Sequence, residues 1–187
     1  MAYEERGQDG GSWFQAEPAF SLEFFNSVSA EADASIIDVG GGASLLVDRL
    51  VEQGRRNVAV LDVSNKALGL AAKRLGTNPA VTWLHQNLTT WSPERTFDVW
   101  HDRAVFHFLV EPNQRETYLN LVRSCLSPGG ALVMAAFDID GPHHCSGLPI
   151  SRYRPDELAE LLPNWPSYSA PTSQCNRLAE RSRCSPR

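Results

Sequence analysis

The stretch that most constrains this chain is Ile36-Ile37-Asp38-Val39-Gly40-Gly41-Gly42-Ala43-Ser44. A short apolar run, rich in β-branched residues, ends in three glycines, and a helical pattern over Ser44–Gln53 begins at once. Three consecutive glycines are entropically expensive to order. Their use is a backbone that turns sharply and approaches a ligand with no Cβ in the way. The bare alternative is a tight strand-to-helix turn with no ligand.

The pattern around this loop repeats. Asn57–Leu61 reads as a second buried strand, followed by Ser64 as an N-cap and a helix over Asn65–Leu75 that Gly76 closes. Ala80–His85 and Phe97–Trp100 read as strands three and four. A helix over Gln114–Leu126, a turn at Ser127-Pro128-Gly129-Gly130 and a fifth strand over Ala131–Phe137 follow. Before the first strand, Pro18–Val28 reads as an amphipathic helix with Phe20, Phe24, Phe25 and Val28 on one side. Pro155–Leu162 is a helix with proline in its first turn. Strands that are apolar without alternation imply a sheet buried on both faces, hence parallel and covered by helices. The expected architecture is α/β: a Rossmann-like, doubly wound, mostly parallel sheet with five strands evident. Such sheets bind ligands at the carboxyl ends of their strands, where the glycine loop falls.

Asp62 ends the second strand 20 residues after Gly42. That is close to the spacing of roughly 20 at which an acid meets a ribose hydroxyl; the alternative is a helix-capping acid. A nicotinamide fingerprint needs G-x-G-x-x-G, and here Leu45 occupies the third glycine position. Asp38 lies two residues before the first glycine. Its carboxylate would repel a pyrophosphate but suits an ammonium, directly or through water. The cofactor expected is therefore S-adenosylmethionine, an adenosine that carries an amino acid and no phosphate.

These residues together resemble the class I S-adenosylmethionine-dependent methyltransferases. Asp38–Ser44 is similar to the first motif of that family and Leu61-Asp62-Val63-Ser64 to the second. His85-Gln86-Asn87-Leu88 falls at the adenine contact, with Asn87 where the family usually has Asp. Phe97-Asp98-Val99-Trp100 resembles the fourth strand, and Leu126–Gly130 the turn before the fifth. The resemblance covers about residues 12–162. It implies cofactor contacts from Asp38, Gly40, Gly41, Gly42, Ser44, Asp62, Val63, Asn87, Leu88 and His101. A narrower group of small, mostly uncharacterised methyltransferases is resembled through Ser12-Trp13-Phe14-Gln15, Trp100–Leu109 and Cys145–Pro149. A looser likeness extends to methyltransferases of thiols, thiopurines or tellurite and to some lysine methyltransferases. None of this selects a substrate.

His101-Asp102-Arg103 lies where strand four ends, and these three are the candidate catalytic residues. Asp102 is a candidate to accept a proton or hold an amine, and Arg103 to bind an acidic group or pair with Asp102. His101 and His107 are alternative bases. The competing reading makes Asp102 and Arg103 a structural ion pair capping the next short helix, and His107 a packed core residue. Trp13 and Phe14 are candidates for a lid or for packing of the first helix. Cys145 is a candidate to line the acceptor site. His143-His144-Cys145 offers adjacent ligands on one loop, whereas zinc takes four, so no metal is expected.

The 187 residues suit one domain, with 17 Lys and Arg against 22 Asp and Glu, a net charge of −5. An acidic balance gives no nucleic-acid footprint, and no apolar run is long enough to span a membrane. Met1–Gly11 lacks an apolar leader core, and the four cysteines form no CxxC pair, so free thiols and a cytoplasmic location are expected. Residues 1–11 read as a disordered N-terminus and 12–162 as the methyltransferase domain. Residues 163–187, with four prolines and four arginines, read as an atypical, poorly ordered tail in place of the usual last two strands. Strand five would then be an exposed edge. The acceptor is expected to be a small molecule or a protein. Three functions compete: methyl transfer, a catalytically impaired cofactor- or partner-binding relative, and a nicotinamide oxidoreductase.

Overall fold

A computed structural model of the chain describes residues 18–28, 31–103 and 105–161. Five parallel strands form one sheet: β1 (Ile36–Val39), β2 (Val58–Asp62), β3 (Val81–His85), β4 (Phe97–Asp102) and β5 (Leu126–Met134). Their order is β3-β2-β1-β4-β5, so the chain winds outward from β1 to β3 and then crosses back to β4. The switch point lies between β1 and β4, which pair in the register Asp38↔His101. Helices α1 (Ala19–Ser27), α2 (Leu46–Glu52), α3 (Asn65–Leu75) and α4 (Pro112–Cys125) are the principal helices. A short α5 (Pro155–Glu160) follows. This is the expected Rossmann-like sheet.

Strand side chains alternate between faces, and two apolar clusters follow. One holds Ile36, Val58, Val60, Val99 and Val133 with Leu22, Phe25, Leu46 and Leu50, which is the side covered by α1 and α2. The other holds Ile37, Val39, Leu61, Trp100 and Phe97 with Tyr118, Leu119 and Val122 of α4. The same alternation sets the polar residues at the strand ends. Asp38, Asp62 and His101 project to the α1 side, and Asp102 projects to the α4 side with Trp100.

Two local expectations are corrected, the first in part, and one local structure is added. On α1, Phe25 is buried and Phe24 and Val28 pack against the same core as expected, but Ser21 and Leu22 are buried with them, and Phe20 is half-exposed with its ring edge-on to Phe24 at 4.7 Å. Residues 127–130 are not a turn before a strand but part of β5, whose register against β4 shifts between Phe97 and Val99. A Cβ on Gly130 would stand 2.9 Å from the Asp98 carbonyl oxygen, so the close approach of the strands there needs glycine. The Cys145–Pro149 segment folds as a hairpin, β6 (His144–Cys145) against β7 (Leu148–Pro149). Ser146 and Gly147 have φ of 52° and 80°, as a two-residue hairpin turn of this hand requires. Among the described residues β5 is an edge of the main sheet. Residues 1–11, Trp13, Phe14 and the 163–187 tail lie outside the described residues.

Candidate active site

The carboxyl ends of β1, β2 and β4 bring the glycine loop, Asp38, Asp62 and His101 together at one end of the sheet. Gly40 N–H donates to the Leu61 carbonyl at 2.7 Å, which ties the glycine loop to the end of β2. Gly40 and Gly42 adopt φ of 70° and 48°, conformations open to residues without a side chain. Gly41 is the tightest point: a Cβ there would collide with the Asp38 carboxylate and stand 2.8 Å from Val60 Cγ1. Ser44 closes the loop, donating its N–H to the Gly41 carbonyl at 2.8 Å and accepting at its hydroxyl from Leu46 N–H at 3.1 Å.

Asp62 stands beside the loop. Its Oδ1 accepts from Ser64 N–H at 2.7 Å, and Ser64 in turn caps α3 by accepting from Ala67 N–H. Burial raises the Asp62 pKa above the ordinary carboxylate value, the Ser64 N–H counters that, and the nearby Asp38 charge adds to it. The two acids therefore feel each other across the loop. Val63 projects an apolar side chain into solvent, 59% exposed, directly after Asp62, and its carbonyl contacts His85 Nε2 at 3.1 Å.

The three residues at the end of β4 separate. His101 is 3% exposed and lies between Asp38 Oδ1, 2.7 Å from Nδ1, and Ser21 Oγ, 3.0 Å from Nε2. Both ring nitrogens are thus hydrogen-bonded within the fold. Asp102 is fully buried and accepts from Val105 N–H at 2.8 Å, Phe106 N–H at 3.1 Å and the Tyr118 hydroxyl at 2.7 Å. Its carboxylate caps the short 3-10 helix Phe106–Phe108, so the role of proton acceptor or amine holder gives way to a structural one. Burial and the Asp102 charge raise the Tyr118 pKa well above its ordinary value, which keeps the hydroxyl a donor. Arg103 is partly buried. Burial lowers its pKa and the Asp38 charge raises it, which places the guanidinium within electrostatic reach of Asp38.

Asn87 and Leu88 serve the site less directly than expected. Asn87 is exposed, and its side-chain carbonyl accepts from both the N–H and the hydroxyl of Thr89, at 3.1 and 2.9 Å. Both lone pairs are then used, so that carbonyl cannot accept from an adenine amine; only the Asn87 NH2 remains to donate. The Leu88 side chain is packed in the α4-side core, leaving its backbone for a ligand.

His107 is 4% exposed against the rings of Phe108 and Phe137, and neither ring nitrogen has a partner among the described residues. Burial pushes its pKa down to about 4, so the ring is neutral at pH 7. It is a core residue, as the competing reading had it, yet an unsatisfied one. His143 and His144 are exposed and Cys145 half-buried on the hairpin. Among the described residues no three potential metal ligands cluster, and no helix is long and apolar enough to cross a membrane.

Two contributors have no signature in sequence. Arg74, in the last turn of α3, binds Asp48 of α2 through two hydrogen bonds of 2.7 and 2.6 Å and donates to the Ser44 carbonyl at 2.8 Å. It pins the start of α2 and so the exit of the glycine loop. Ser21 reaches the site from 80 residues away in sequence. A cleft of about 420 Å³ opens at the opposite end of the sheet beside Ala34, Asp98 and Gly130, and neither the Gly40–Gly42 loop nor Asp38 or Asp62 lines it.

Comparison with known proteins fits this geometry. The model of a methyltransferase-domain family matches residues 36–130. Thiocyanate methyltransferase 1 of Brassica oleracea is 30% identical over 103 residues, covering 54% of this chain and 44% of that protein. EEF1A lysine methyltransferase 2 of Danio rerio is 23% identical over 145 residues, covering 73% and 62%. The chain spans about half the length of the curated relatives it matches. Among solved structures, the N-methyltransferase NodS of Bradyrhizobium japonicum WM9, in complex with S-adenosylhomocysteine, superposes with a TM-score of 0.59 at 23% identity, over 71% of this chain and 69% of that one. The 1,6-didemethyltoxoflavin-N1-methyltransferase of Burkholderia thailandensis gives 0.58 at 26% identity, over 70% and 59%. With a family model spanning half of the chain, from the first strand through the glycine bulge of β5, the chain belongs to the class I S-adenosylmethionine-dependent methyltransferases.

Proposed function

We propose that this chain binds S-adenosylmethionine and transfers its methyl group to a small molecule or a protein side chain, in the cytoplasm. The observation that carries the proposal is the convergence of Asp38 and Asp62 on either side of a side-chain-free loop. The residues present fit that cofactor. Asp62 keeps acceptor capacity beyond its bond from Ser64 N–H, as two ribose hydroxyls require. Val63 offers an exposed apolar surface next to it for a flat base. Asp38 and Arg103 supply an anion and a cation close together, complementary to the ammonium and carboxylate of an amino acid. The Asn87 NH2 and the Leu88 backbone stand at the end of β3 for the base edge. A pyrophosphate in the same place would meet two carboxylates, which disfavours a nicotinamide cofactor.

When bound, S-adenosylmethionine supplies a methyl group already activated by a positive sulfur. The protein's share is alignment: the glycine loop, held by Gly40–Leu61 and by Arg74, fixes where the amino-acid end sits. His101 and Asp102 are both hydrogen-bonded within the fold and a guanidinium stays protonated, so among the described residues at the end of β4 water is the remaining candidate proton acceptor. That arrangement favours acceptors that arrive with a free lone pair, such as a thiolate or an unprotonated amine, the methylated amine giving up its proton to water after transfer.

The test is transfer of radiolabel from methyl-labelled S-adenosylmethionine into cell extract, resolved into macromolecular and small-molecule fractions. Label in one fraction that requires the purified chain supports the proposal and names the acceptor class. Cofactor binding with no transfer to either fraction overturns turnover and leaves the impaired-relative reading.

A further inference from the structure

On the α1 side of the sheet, a line of buried polar side chains runs outward from the glycine loop. Asp38, His101 and Ser21 are 3%, 3% and 1% exposed. Nδ1 of His101 lies 2.7 Å from Asp38 Oδ1, and Nε2 lies 3.0 Å from Ser21 Oγ. We propose that Ser21 and His101 form a positioning relay that fixes the Asp38 carboxylate for the cofactor, making α1 a working part of the site. The inference rests on the reading above that Asp38 faces the amino-acid end of S-adenosylmethionine.

The direction of the bonds follows from the chemistry of the groups. A carboxylate accepts and does not donate, so His101 Nδ1–H is the donor to Asp38. In the neutral ring Nε2 then carries a lone pair, and the Ser21 hydroxyl donates to it. Bonds aligned in this way polarise one another. His101 has no freedom to turn, because Phe25, one helical turn after Ser21, packs on its ring at 5.4 Å. Asp38 has none either: Oδ1 is held by His101, and Oδ2 lies against Gly41, where even a Cβ would collide. Ser21 is a hydroxyl on the otherwise apolar buried face of α1, beside Leu22 and Phe25. Buried there without His101 it would be a lone polar group in an apolar contact.

The same three residue types in the same bonded order make a nucleophilic triad in hydrolases. Here the serine is on a helix and almost wholly buried, so no substrate reaches it. The roles are also reversed: in a triad the acid orients the imidazole, and here the imidazole orients the acid.

The experiment is calorimetric titration of S-adenosylhomocysteine into the full chain and three variants, each also melted thermally. Asn places its NH2 near the position of Nδ1, and Gln near that of Nε2. His101→Asn keeps the bond to Asp38 and is expected to bind within about threefold of the unsubstituted chain. His101→Gln loses that bond and is expected to weaken binding by roughly tenfold or more, the effect of a hydrogen bond to a charged group. Ser21→Ala is expected to weaken binding by a few-fold, and Ser21→Thr to restore it. A purely structural role would lower the melting temperature in both His101 variants without separating their affinities. Equal affinities for His101→Asn and His101→Gln overturn the relay. If either His101 variant does not fold, Ser21→Ala with unchanged affinity overturns it instead. If the unsubstituted chain does not bind S-adenosylhomocysteine, the cofactor reading falls first, and the relay with it.

Discussion

Acid should destabilise this fold through His107. The imidazole is packed against Phe108 and Phe137, lacks a hydrogen-bond partner among the described residues, and has its pKa pushed from 6.5 to about 4 by burial. In the unfolded chain the same ring takes up a proton near pH 6.5. Between those values the unfolded state binds more protons than the native state, so stability falls as pH falls. Above pH 6.5 the ring is neutral in both states and contributes no slope; below about 4 both are protonated and the loss is complete. At about 1.4 kcal/mol per pH unit, the loss attributable to His107 reaches about 3 kcal/mol at pH 4. For a domain of this size that corresponds to roughly 6–12 °C in melting temperature. The assay is thermal and urea unfolding from pH 8 to pH 4 for the unsubstituted chain and for His107→Phe, whose ring fits among the neighbouring aromatics. Carboxylates give both proteins an acid slope, so the difference between them is the quantity of interest. The variant should lose less stability on acidification by that amount. Parallel curves for the two proteins would refute the claim that the buried ring resists protonation.

Two further outcomes follow from the geometry. Gly41→Ala drives a methyl into the Asp38 carboxylate and Val60, and overpacking of that kind should lower the unfolding free energy by about 1–3 kcal/mol in urea titration; an unchanged midpoint would mean the loop relaxes freely. Tyr118→Phe leaves buried Asp102 without one donor and Trp100 Nε1 without its acceptor, 3.1 Å away. It should lower unfolding free energy by about 2 kcal/mol in urea titration, and a change below about 0.5 kcal/mol would contradict the structural role given to Asp102.

The sheet, its glycine loop and its two acids were legible in the sequence because each rests on local rules. A buried parallel strand reads as an unbroken apolar run, and a glycine triplet at a strand end has few other uses. What the sequence did not disclose depends on contacts across the fold. The direction of Asp102 is instructive: it shares a face with Trp100, and the two-residue period of β4 already separates it from His101. That alternation was available in the sequence, but the pairing that puts His101 opposite Asp38 required the strand register. On α1 the apolar pattern points to Phe24, Phe25 and Val28, which do pack on the core, but no hydrophobic count finds Ser21, which is held inside by a histidine 80 residues later. Arg74 looks like an ordinary basic residue at a helix end until α2 is placed beside it. The Ser127–Gly130 segment carries turn chemistry, yet its glycines serve a bulged strand pairing, because β5 approaches β4 too closely for a side chain.

The central claim is that Asp38 and Asp62 grip the two ends of one adenosine-bearing amino acid. A crystal of the chain grown with S-adenosylhomocysteine tests it most directly. The account predicts density along the Gly40–Gly42 loop, with the ribose hydroxyls on the Asp62 carboxylate and the ammonium on the Asp38 side. An empty crevice at saturating ligand, or a ligand bound with neither acid in contact, would contradict it.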